Sequence, residues 1–125
     1  MTRAVPFPAV AAGITILSAA MPGTTVTDRI PAPRPQRFVV VKRSGGSQTI
    51  AQDVAHLIID CYGESPVAAE DLALASVTAM WNAESTNGVQ YAYWSDSAGP
   101  YDLANPDITD RYRWQFNGDL HLSSR

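Results

Sequence analysis

Apolar residues recur at steps of three and four near the start of the chain. Phe7, Val10, Ile14, Leu17 and Met21 form one stripe, which predicts a helix with a single face against a core. Pro8 suits the first turn of such a helix, and Pro22-Gly23 stops it. An arginine, an apolar run and Ser18-Ala19-Ala20 are also features of a secretory signal, but a signal segment needs no stripe. Pro6, Pro8 and Gly13 weaken the segment as a signal helix, and Thr15 and Ser18 interrupt it, so a helix of the folded domain is the better reading. The run is also too short and too interrupted to span a bilayer.

Strand patterns follow. "TTVTDRI", Thr24 to Ile30, reads as a short strand, and "PAPRPQ" is a connector in which Pro31, Pro33 and Pro35 lack backbone donors. Arg37 to Arg43 is apolar on both faces in its middle, as expected of a strand inside a sheet and covered on both sides. Ser44 to Gln52, "SGGSQTIAQ", reads as a polar loop, long for a hairpin. In the next strand, Asp53 to Cys61, Val54, His56 and Ile58 face one way and Ala55, Leu57 and Ile59 the other.

A second helix is predicted from Ser65 to Glu84, with Ser65 as N-cap, Pro66 at the first helical position and Glu70 and Asp71 near its positive end. Its apolar residues divide into two stripes, Leu72, Ala75 and Ala79 on one side and Leu74, Val77 and Trp81 roughly opposite. A surface helix needs only one, so the second calls for a partner, either the first helix or a neighbouring subunit. "STNG" ends this helix, Val89 to Ser97 reads as a fourth strand, and a loop with Gly99-Pro100 and Asn105-Pro106 leads to a last strand, Asp110 to Leu122. There Tyr112, Trp114, Phe116, Leu120 and Leu122 share one parity, with polar residues on the other. The order predicts one α+β domain: a mostly antiparallel sheet of four to five strands with two helices packed on one face.

Composition narrows the function. A chain of 125 residues with 46% hydrophobic and 17% charged residues is globular, long enough to bury a core, and carries a net charge of -3 that attracts no nucleic acid overall. Cys61 is the one cysteine, set in an apolar run, which predicts a buried, passive thiol. "SGGS" lacks the spacing of a phosphate-binding loop and reads as a turn. Asp102, Asn105, Asp107 and Asp110 lack the alternation of a calcium loop and read as Asx-turn chemistry. His56 and His121 belong to different strands with no metal-binding spacing, and His56 reads as a hydrogen-bonded core or interface residue. No GxSxG marks a nucleophile. "RYRWQF" mixes cations and aromatics, but alternation puts them on opposite faces, which suits a core better than a base-stacking platform. The residues therefore predict no enzyme, cofactor or metal.

In layout and several short strings the chain resembles the tail terminator proteins of tailed bacteriophages, also called tail completion or minor tail proteins, particularly the small versions in phages of actinobacteria. "RFVVVKRSGG", Arg37 to Gly46, is similar to that family's apolar strand ending in basic residues and a glycine turn, and "DVAHLIIDCYG", Asp53 to Gly63, to the strand after it. "AAEDLA", Ala68 to Ala73, resembles the start of the family's long helix, and "GPYDLANPDITDRYRWQF", Gly99 to Phe116, its closing loop and last strand.

The resemblance implies a non-enzymatic subunit of the virion, assembled in the host cytoplasm into a homo-oligomeric ring of six at the head-proximal end of the tail. The ring would end polymerisation of the tail tube protein, receive the head-tail connector protein, and let genomic DNA pass through its lumen without specific binding or contact with a membrane. Ring closure needs two different patches per subunit. On this reading Lys42, Arg43, Gly45 and Gly46 supply one candidate patch and Leu74, Val77 and Trp81 another, with Ser44 to Gln52 mobile until docked. A head-tail stopper or adaptor is the related alternative, and a small secreted ligand-binding or enzymatic domain the alternative of a different class.

Overall fold

The computed structural model describes residues 8–49, 52–83 and 92–123. Helix α1 spans Ala9–Ala20, strand β1 Thr25–Thr27, β2 Phe38–Gln48, β3 Gln52–Gly63, helix α2 Pro66–Trp81, β4 Ala92–Asp102 and β5 Tyr112–Ser123. The strands form one sheet in the order β1-β2-β3-β5-β4. β1 runs parallel to β2 and every other pairing is antiparallel, so the α+β expectation holds, with a mixed sheet of five strands. Phe7, the "STNG" stop and the start of the fourth strand at Val89 lie outside the described residues.

Both helices pack on one face of the sheet. Their small residues let them approach it closely: α1 buries Ala9, Ala12, Gly13, Ile16 and Leu17. A Cβ on Gly13 would stand 3.2 Å from Leu57 Cδ1 and 3.3 Å from Val41 Cγ1, which shows how near the helix lies. The face of α1 is therefore rotated from the expected stripe. Leu17 is in the core, while Val10, Ile14 and Met21 are only half-buried shoulders beside it. Alanines and a glycine mark the contact because close approach, more than side-chain bulk, decides how this helix seats.

Helix α2 starts as the sequence predicts. The Ser65 hydroxyl accepts a hydrogen bond from Ala68 N at 3.1 Å, and Pro66 opens the helix. Its buried face is Ala68, Ala69, Leu72, Ala73, Ser76, Val77, Ala79 and Met80. Alternation in β3 is as expected, with Ala55, Leu57 and Ile59 buried under the helices and Val54, His56 and Ile58 half-covered on the other face. Phe116, Leu120 and Leu122 of β5 join the helix-side core, where Trp94 meets Phe116 edge to face at 6.0 Å. Trp114 packs at the margin of that core, and Tyr112 is exposed.

A second, smaller apolar cluster lies on the face away from the helices. Phe38 stacks on Tyr62 with ring centroids 4.6 Å apart, and Val40 and Ile108 complete the cluster. Ile108 reaches it from the loop between β4 and β5, which is shaped by an Asx turn: Asp107 N donates to Asn105 Oδ1 at 3.0 Å. Asn105 Nδ2 in turn donates to Tyr62 Oη at 3.1 Å. The acidic stretch thus reads in the structure as it does in the sequence, as turn chemistry.

The segment Ser44 to Gln52 differs from its expectation. β2 does not end at Arg43 but continues to Gln48 through an irregularity between Arg43 and Gly46, after which Gly46 pairs with Ala55, Ser47 with Val54 and Gln48 with Asp53. The bulge depends on two glycines at positive φ, 127° at Gly45 and 116° at Gly46. The result is a paired β-arm where a polar loop was expected, because glycine can absorb the extra residue and let the ladder resume.

Candidate assembly surfaces

Lys42 and Arg43 both reach carboxylates of their own chain. Lys42 Nζ stands 2.9 Å from Asp60 Oδ2, and Arg43 grips Asp53 with two nitrogens, each 2.9 Å from a carboxylate oxygen. Both aspartates are buried, at 1% and 3% exposed, so each cation neutralises a charge that water cannot reach. Asp60 also accepts from Gln115 Nε2 at 2.6 Å and has Arg113 Nη1 at 3.7 Å. Arg43 Nε donates to Gly45 O at 2.9 Å, tying the cation to the bulge. The strand-end cations read from the sequence are thus paired within their own chain, and the glycines beside them shape the arm.

On α2 the expected stripe of Leu74, Val77 and Trp81 separates. Val77 is 2% exposed and belongs to the core, whereas Leu74 and Trp81 are 48% and 59% exposed. Leu74, Trp81 and the exposed Val67 lie seven residues apart, about two helical turns, so these three form the outward stripe. Val67 lies in the first turn, two residues after the N-cap Ser65, a turn that reads in the sequence as capping alone. Beside this stripe, Ala20 and Met21 of α1 and Leu74, Ala75, Thr78, Ala79 and Asn82 of α2 enclose a groove of about 470 Å³.

Trp81 is held in place although it is exposed. Its Nε1 donates to Asp96 Oδ2 at 2.8 Å, and Trp94 Nε1 donates to Asp96 Oδ1 at 2.6 Å. One carboxylate of β4 thus fixes two indoles, and the Trp81 ring keeps an apolar face outward with its rotamer already ordered. That arrangement suits an anchor residue of an interface, where immobilising a side chain otherwise opposes binding.

The connector between β1 and β2 is the other exposed, charged surface. Arg29 pairs with its neighbour Asp28, Arg34 with Asp110, and Arg37 with Glu64 at 2.9 Å. The Arg37 guanidinium, chiefly through its hydrogen bond, holds the Glu64 carboxyl below the usual carboxylate range. Ile30 is exposed near the start of this stretch.

The two histidines and the cysteine sit in separate local pairs. His56 Nδ1 lies 3.0 Å from Asp119 Oδ1, in keeping with a hydrogen-bonded histidine, and His121 Nε2 lies 3.0 Å from Ser95 Oγ with its ring stacked on Tyr93. Cys61 is buried, its Sγ 3.6 Å from Ser76 Oγ, and burial pushes its thiol up to about 12. Among the described residues no three His, Cys, Asp or Glu side chains gather as a metal site, and no helix is long and apolar enough to cross a membrane.

No family model and no curated protein matches the chain. Among solved structures the fold is similar to a chain of the virion of a native gene transfer agent particle. The match has a TM-score of 0.55 at 18% identity and covers 94% of this chain and 99% of that one. At that identity the likeness establishes a shared fold.

Proposed function

We propose that this protein is a structural, non-enzymatic subunit of a phage-like virion, and within it a tail terminator: a homo-oligomeric ring, of six subunits on the family resemblance, at the head-proximal end of the tail. The observation that carries the reading is the fold it shares, over nearly the full length of both chains, with a chain of a gene transfer agent virion. The strings resembling tail terminators point the same way, and they occupy the β2–β3 pair, the start of α2 and the closing loop into β5.

In this role the single domain contributes surfaces instead of a reaction centre. A closed ring requires a heterologous contact, in which two different patches of each subunit meet around the axis. The outward stripe of α2, with the anchored Trp81, is the apolar candidate. The β2–β3 arm, carrying Gly45 and Gly46, projects main-chain groups that suit docking to the tube protein or to the connector.

The experiment is tube growth in the presence of the purified chain. Tail tube subunits of the same virion are polymerised with and without it, and tube lengths are measured by electron microscopy. A terminator caps growing ends, so lengths should shorten as the chain is added and the chain should sit at one tube end. Unchanged lengths with no end-bound density would refute the terminator role.

A further inference from the structure

Resting on the self-assembly reading above, we infer that the α2 stripe receives the proline-rich connector of a second copy of this chain. The stripe Val67, Leu74 and Trp81 has an acidic surround: Glu70 and Asp71 stand beside it, Asp96 holds Trp81, and α2 contains no lysine or arginine. An occupant must therefore offer an apolar centre and a basic rim. The connector has that composition. Between Arg29 and Arg37, "RIPAPRPQR" holds three arginines, three prolines and the exposed Ile30, with no acid.

The other cations of β2 cannot serve the purpose as easily. Lys42 and Arg43 neutralise buried carboxylates, and drawing either to a neighbouring subunit would leave a buried carboxylate short of a partner. Arg29 and Arg34 make exposed pairs, which are weak in water and can be exchanged for new ones. Prolines restrict the connector before it binds, and proline-rich segments dock on aromatic surfaces for that reason. Trp81, ordered by Asp96, supplies such a surface.

Placement also fits a ring. The connector follows β1 at one edge of the sheet, and its later residues are held by Arg111, which donates to Arg34 O and Pro35 O, and by the Arg37–Glu64 pair, while α2 lies over β3, β5 and β4. A head-to-tail contact requires two different patches on each subunit, and the connector and the α2 stripe are two such patches.

The test uses the full chain with Ile30→Cys and Leu74→Cys together, treated with a short bis-maleimide. Both positions are exposed, and native Cys61 is buried. The double variant should give a ladder of covalent oligomers up to the closed ring, while neither single variant gives one. In parallel, Arg29→Glu with Arg34→Glu should raise the concentration needed for assembly about tenfold or more, and adding Glu70→Arg with Asp71→Arg should lower it again. Rings that form without the ladder and without a charge effect would overturn this inference and leave the proposed function standing. Rings of that kind that fail to join tube or connector protein when Leu74→Asp is present would assign the stripe to another virion protein, also overturning it. A chain that stays monomeric would overturn both.

Discussion

Lys42 Nζ lies 2.9 Å from Asp60 Oδ2, a carboxylate only 1% exposed, so the lysine that ends the apolar half of β2 neutralises a charge inside its own subunit. The pair links β2 to β3, and Gln115 and Arg113 extend it to β5. A cation committed in this way cannot be withdrawn without loss of fold stability.

Lys42→Met is therefore expected to destabilise the isolated subunit by about 1.5 to 3 kcal/mol, the range for a lost hydrogen bond to a charged group. Gln115 and Arg113 limit the damage. Urea unfolding measures it. A loss below about 0.5 kcal/mol would place Lys42 with ordinary surface pairs and return it to the list of assembly cations.

Two neighbouring glycines should respond differently. A Cβ on Gly46 would stand 2.0 Å from Val54 O, whereas one on Gly45 meets nothing within 4 Å. Gly45→Ala should cost only its backbone conformation, on the order of 1 to 3 kcal/mol. Gly46→Ala adds a clash with β3 and should break the pairing of Gly46, Ser47 and Gln48. Amide exchange along the arm would show it. Equal effects of the two changes would mean that the bulge relaxes more freely than this geometry allows. By the same reasoning, removing Gly45 to Thr49 takes away paired strand and should lower stability, contrary to the reading of this segment as a polar loop.

Cys61 sets a pH dependence whose direction is fixed. Its thiol rises from the usual 9.0 to about 12, chiefly because burial disfavours the thiolate. The folded state then holds the proton more tightly than the unfolded chain. Its contribution is complete below about pH 9 and is lost as pH rises from there toward 12. Cys61→Ala should flatten that part of the stability profile and leave assembly intact. Fast labelling of Cys61 by a thiol reagent in the folded chain would contradict its burial.

Leu74 and Val77 separate assembly from folding. Leu74 is 48% exposed and Val77 2%. Leu74→Asp should leave the melt nearly unchanged and weaken self-association, while Val77→Asp buries a charge and should unfold the domain. If Leu74→Asp unfolds the chain, the outward stripe is part of the core.

Much of this fold was legible because two periods are written plainly. The alternation in Asp53 to Cys61 and the Ser65-Pro66 start of α2 follow from neighbouring residues alone. What was hidden depends on partners distant in sequence. The turn of α1 onto Ala12 and Gly13 is decided by how closely Leu57 and Val41 admit a helix. Arg43 reads as a strand-end cation until Asp53 is placed beside it, and Val77 reads as a spare apolar residue until the sheet is placed beneath α2. The candidate surface was found only in part for the same reason: Leu74 and Trp81 read as one face with Val77, and Val67, seven residues earlier, joins them once the sheet shows which face of α2 is buried.

The most direct measurement is negative-stain electron microscopy of the purified full-length chain, with the Leu74→Asp variant beside it. The account expects closed rings of uniform size with an open lumen for the native chain, and smaller species for a variant that remains folded. Compact monomers at every concentration tried, with no lumen and no variant effect, would contradict the claim that this protein works as a ring-forming subunit of a virion.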